Sequence, residues 1–158
     1  MSLSTSLTRQ SIKIAAQVFK QHAPQGTIVA GTAAAQTTRE AIQRTREAAA
    51  AGAEFALVLP PSYYPGALTP AAIQSFYEEV SVRSTPYASH TDVQVADASP
   101  IPLIIYSYPA VSSGIVMDTD LVGRLAQHRN IAGIKHTDHE VGRIAREAAV
   151  VAKSTGCE

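Results

Sequence analysis

The chain has one cysteine, Cys157, among its 158 residues. A lone thiol builds no disulfide framework and no cysteine-based metal site, which fits a reducing compartment. Charge is scarce as well. Asp, Glu, Lys and Arg make up 16% of the residues, against ~25% in ordinary soluble domains. The 13 basic residues balance the 13 acidic ones, so there is no electrostatic footprint for nucleic acid or for a membrane surface. No apolar run approaches the ~20 residues of a membrane span, and no hydrophobic signal segment opens the chain. A phosphate-cradling loop is missing too. "GTAAAQTT" (Gly31–Thr38) has one glycine and no lysine, so it is neither G-x-G-x-x-G nor a P-loop.

What is present is apolar: 46% of the residues are hydrophobic, and the length suits one domain of ~100–200 residues. Four short runs, Thr27–Gly31, Phe55–Leu59, Leu103–Ser107 and Ile131–Lys135, are nearly continuously apolar. That pattern predicts strands covered on both faces, as in a parallel sheet. Helical segments alternate with them: Thr8–His22, Thr38–Ala51, Pro70–Glu79, Asp118–Gln127 and Glu140–Lys153. Thr37-x-x-Glu40 and Thr137-x-x-Glu140 read as capping boxes, and Thr69 as an N-cap ahead of Pro70. Strand–helix alternation implies right-handed βα units.

The strand starts are separated by 28, 48 and 28 residues. The excess in the middle step lies in Val80–Gln94, "VSVRSTPYASHTDVQ", which is polar and without a clear period. We expect residues 80–94 to be a disordered insertion. Fifteen residues are a whole number of codons, and Val80-Ser81 and Gln94 can be encoded with the GT and AG that bound an intron. The segment therefore also fits a retained short intron.

Chemistry in parallel sheets sits at the carboxyl ends of the strands. Here those ends carry Gly31-Thr32, Pro60-Pro61, Tyr106-Ser107 and Lys135-His136. Lysines often mark strand ends simply because the stem lies on apolar surface and the head reaches water. A lysine in an apolar setting can instead lose its proton, attack a ketone and form a Schiff base. A nearby phenol can move the protons of that reaction. His136 and His139, without a third ligand, make a poor metal site and read as solvent-facing loop residues.

At these residues the chain resembles the dihydrodipicolinate synthase / N-acetylneuraminate lyase family of pyruvate-type class I aldolases. The stretches that carry the resemblance are "IVAGTAAAQTTREAI", "AAGAEFALVLPPSYYPGALT", "VADASPIPLIIYSYP" and "HRNIAGIKHT". The resemblance implies an α/β fold, a partial (β/α)8 TIM barrel running from the helix after strand two to the helix after strand six, so that residues 1–158 form an incomplete aldolase domain. It assigns the Schiff-base nucleophile to Lys135, the proton-relay tyrosine to Tyr106, and the family's paired tyrosines to Tyr63-Tyr64, the second of which, Tyr64, tends to reach a neighbouring subunit's site and bind substrate there. It implies a small 2-oxo acid substrate such as pyruvate, no metal or other cofactor, and a homo-oligomer, in either cytoplasm or mitochondrion. "YPAVSSG" (108–114) lacks the arginine of the synthase members, so the resemblance points away from lysine biosynthesis. It points toward the eukaryotic 4-hydroxy-2-oxoglutarate and deoxy-sugar-acid aldolases. The competing expectation is an inactive half-barrel that at most associates with full-length relatives, since four strands leave two open sheet edges.

Overall fold

The computed structural model describes residues 3–32, 35–81 and 98–155. Its elements run α1 (Leu3–His22), β1 (Val29–Gly31), α2 (Thr38–Ala50), β2 (Phe55–Val58), a short 3-10 turn (Pro65–Ala67), α3 (Pro70–Ser81), β3 (Leu103–Ser107), α4 (Thr119–Leu125), β4 (Ile131–His136) and α5 (Val141–Thr155). The four strands form one parallel sheet in the order β1-β2-β3-β4.

Side chains alternate across the sheet, and one set is buried under the helices. Ala56, Val58, Leu103 and Ile105 join Ala41, Ile73, Phe76, Tyr77, Leu121, Val122 and Leu125 in a single core cluster. The other set is not sealed. Val29 is exposed and Lys135 is exposed, with Phe55, Leu57, Ile104 and Tyr106 half-buried between them. The expectation of strands covered on both faces is therefore corrected: among the described residues the cover lies on the helix side. In a closed barrel the second face is an interior filled by facing strands, and an arc of four parallel strands supplies only one side of it.

Helix boundaries follow local chemistry. Thr37 caps α2, its hydroxyl accepting from the Glu40 amide at 3.2 Å, while the Glu40 carboxylate accepts from the Gln36 amide. Thr69 Oγ1 accepts from the Ala72 amide at the start of α3, and Asp118 Oδ1 from the Leu121 amide at the start of α4. After α2 the chain turns at Gly52 (φ +102°), a conformation that suits glycine. The second capping box does not form. Thr137 Oγ1 donates to the Ser107 carbonyl instead, and Asp138 faces the Glu140 amide.

The segment 80–94 divides. Val80 and Ser81 continue α3, and Val80 is fully buried in the core. Ile73, Phe76, Tyr77 and Val80 fall on one helical stripe, so the period runs one turn further than the polar sequence downstream suggests. Residues 82–94 lie outside the described residues.

Among the described residues Tyr77 is the largest fully buried side chain, and its hydroxyl donates to the Val58 carbonyl at 2.9 Å. Burial raises its pKa well above the ordinary value of 10.0. The unfolded chain therefore ionises here first, and stability falls as pH rises past about 10. Tyr77→Phe is expected to cost ~1 kcal/mol near neutral pH, the net value of one hydrogen bond, and to remove this residue's share of the alkaline decline. Denaturant titrations at neutral and alkaline pH check both parts.

Candidate active site

Lys135 and Tyr106 are register partners on β4 and β3. Pairing puts both side chains on the sheet face away from the helices, and the Lys135 ammonium lies 3.9 Å from the Tyr106 ring centroid. An ammonium over an aromatic face is held by the ring quadrupole. The Tyr108 ring sits 5.5 Å from Tyr106, centroid to centroid. Two strand ends thus deliver an amine and a phenol to one spot. The lysine is exposed, although Ile131 and Ile134 behind it are partly buried. Lys135 thus emerges at a strand end as expected, but the described residues do not desolvate it.

The loops around this spot are tied to one another. Ser113 Oγ, beyond β3, donates to the Ser62 carbonyl beyond β2 at 2.8 Å. Gln36 Oε1 accepts from the Ser62 and Tyr63 amides at 2.8 and 3.0 Å. The Thr32 amide and hydroxyl both donate to the Leu57 carbonyl. Tyr63 and Tyr64 pack edge to face, 4.7 Å apart, and remain 73% and 71% exposed. They border an open cavity of about 490 Å³ with Thr37, Leu68 and Phe76, which Lys135 and Tyr106 do not line. Tyr64 is on the same rim as Lys135 without being brought to it.

The model of the dihydrodipicolinate synthetase family matches residues 1–156. The chain belongs to this family. It is 46% identical over 112 residues to an L-threo-3-deoxy-hexylosonate aldolase of Hypocrea jecorina, covering 71% of this chain and 31% of that one. It is 38% identical over 122 residues to a protein of Emericella nidulans named "Probable 4-hydroxy-2-oxoglutarate aldolase, mitochondrial", covering 77% of this chain and 34% of that one. Among solved structures, the dihydrodipicolinate synthase of Acinetobacter baumannii, complexed with pyruvate, superposes with a TM-score of 0.73 at 31% identity, over 96% of this chain and 45% of that one. The described sheet and helices are thus part of a family TIM barrel, and the chain spans about a third of the length of these two curated relatives.

Behind Lys135 lies a group that sequence reading missed. His136 is not a solvent-facing loop residue. It is the last residue of β4, and its side chain is 5% exposed. Its Nε2 is 2.6 Å from Oε2 of Glu147, itself 4% exposed. Arg143 pairs with Asp138, and its Nε lies 3.6 Å from Glu147 Oε1. Two signals pointed this way. Alternation along β4 puts His136 opposite Lys135, and Arg143 and Glu147 are one turn apart on α5. His139 is exposed, in a left-handed turn (φ 60°). No group of three or more potential metal ligands occurs among the described residues, and no described helix is long and apolar enough to cross a membrane.

Proposed function

We propose that this chain carries the Schiff-base part of a pyruvate-type class I aldolase acting on 2-oxo acids of the 4-hydroxy-2-oxoglutarate or 2-keto-3-deoxy sugar acid class. The observation that carries the reading is the Lys135–Tyr106 contact at two adjacent strand ends. The neutral amine of Lys135 adds to the C2 ketone, and the Tyr106 phenol gives a proton to the hydroxyl that leaves as water. The product is a protonated imine. As the C3–C4 bond breaks, its electron pair flows to the iminium nitrogen and leaves an enamine. The Tyr106 phenolate takes the proton of the C4 hydroxyl, and an aldehyde departs. Protonation of the enamine at C3 and hydrolysis of the imine release pyruvate and return the amine. The iminium is the electron sink, so the sequence of steps draws on no metal. Tyr64 has a weaker role in this reading, as a rim residue that touches substrate.

Support comes from the names of the relatives at 46% and 38% identity, "L-threo-3-deoxy-hexylosonate aldolase" and "Probable 4-hydroxy-2-oxoglutarate aldolase, mitochondrial". The mitochondrial location in one of those names makes mitochondrion or cytoplasm the natural compartments to test. A second reading, a non-catalytic half-barrel that associates with full-length relatives, draws on the exposed apolar residues of α5, Val141, Ile144 and Val150. Borohydride reduction in the presence of pyruvate separates the two. A mass shift on the Lys135 peptide supports the aldolase, and soluble folded protein that traps nothing supports the alternative.

A further inference from the structure

We propose that Glu147 and Arg143 are positioning residues for Lys135, acting through His136 and Asp138. The proposal rests on the reading of Lys135 as the Schiff-base lysine and assigns residues to it that lie on the opposite side of the strand. Lys135 is the next-to-last residue of β4, so its Cα stays put only if the residues that follow it are restrained.

Three consecutive residues after Lys135 supply that restraint. His136 turns to the helix side, where its Nε2 meets Glu147 at 2.6 Å. Thr137 ties back to β3, donating to the Ser107 carbonyl at 3.0 Å. Asp138 pairs with Arg143, and Arg143 reaches on toward Glu147. His139 then bends the chain through a left-handed turn, and the Val141 amide donates to the His139 carbonyl at 2.9 Å as α5 begins. The end of β4 is thus fastened to β3 and to α5 within one turn of chain.

The chemistry of the cluster argues for geometry rather than for stability alone. Glu147 and His136 border an apolar cavity of about 410 Å³ with Ile105, Val122, Ile134 and Ile144. Aliphatic side chains would fill such a site at less cost than buried charges, which lose hydration they regain only with good pairing. Aliphatic packing tolerates shifts, whereas a 2.6 Å contact between an imidazole and a carboxylate allows one arrangement. A lysine side chain is long and flexible, so its reach to a carbonyl carbon is defined only if its backbone is. Misplacement by ~1 Å at a reacting centre can cost on the order of 100-fold in rate.

The test uses the full chain with two readouts: the rate of borohydride trapping of pyruvate, and amide hydrogen exchange along β2, β3 and β4. Glu147→Ala is expected to slow trapping by about tenfold and to speed exchange at residues 135–138, with β2 and β3 exchange unchanged. Glu147→Gln, which still offers His136 a carbonyl oxygen, is expected to recover most of both. Ile144→Ala, on the same helix, is the control and should change neither. Wild-type trapping and exchange in Glu147→Ala overturn the proposal. So does a trapping loss matched by faster exchange throughout the sheet, which reports unfolding. Should Glu147→Ala fail to fold, Glu147→Gln and Arg143→Lys carry the same comparison. A wild-type chain that traps no pyruvate removes the Schiff-base reading instead, and exchange at Lys135 then decides the clamp by itself.

Discussion

Lys135→Ala is expected to abolish the borohydride-stable pyruvate adduct while the chain stays folded. No other residue on that face of the described sheet offers an amine, so the loss should be complete. The structural cost is small because the side chain is exposed and its ammonium rests on the Tyr106 ring. Removing a cation–π contact at an open site costs ~0.5–1 kcal/mol. Lys135→Arg is the sharper variant. A guanidinium keeps the charge over the ring but stays protonated, so it cannot attack a carbonyl. It should hold stability at the wild-type level and still trap nothing. Peptide mapping after reduction with pyruvate measures the adduct, and thermal unfolding measures the cost. An adduct of undiminished yield in Lys135→Ala would move the nucleophile elsewhere.

Much of this arrangement was legible in the chain because strand chemistry is local. Leu103–Ser107 has the predicted bounds, and Ile131–His136 ends one residue later than predicted. Parallel pairing of such runs puts Tyr106 beside Lys135 once the register is set. What could not be read depended on neighbours far along the chain. His136 looked like a loop residue because its partner, Glu147, is eleven residues on and comes into reach only after α5 folds back. Thr137 looked like a helix cap because the competing acceptor, the Ser107 carbonyl, belongs to another strand. Val80 looked like the start of an insertion because the polar residues after it hid the last step of the α3 stripe. The gain from burying Val80 is visible only against Leu103 and its cluster. The openness of the sheet face that carries Lys135 was missed for a similar reason. Apolar runs record what a strand can bury, and the side of the sheet that is covered depends on the elements that pack there.

Tyr106→Phe separates proton transfer from carbon–nitrogen bond formation. The substitution removes one oxygen and leaves the ring, so the 3.9 Å ammonium contact and the tilted contact with the Tyr108 ring survive. Lys135 therefore keeps its place, and slow accumulation of a trapped adduct remains accessible with solvent supplying protons. Bond cleavage has no such substitute. The C4 hydroxyl must lose its proton as the C3–C4 bond breaks, and a positioned general base contributes ~10²–10⁴-fold to such a step. Turnover of a 4-hydroxy-2-oxo acid is expected to fall by about that factor, with trapping of pyruvate slowed far less. Because the phenol acts in the transition state, kcat and kcat/KM should fall together. Aldehyde release measured alongside borohydride trapping gives the two rates on one protein. Equal losses in both would make Tyr106 a support for Lys135 rather than the proton carrier, and wild-type rates in both would remove its hydroxyl from the mechanism.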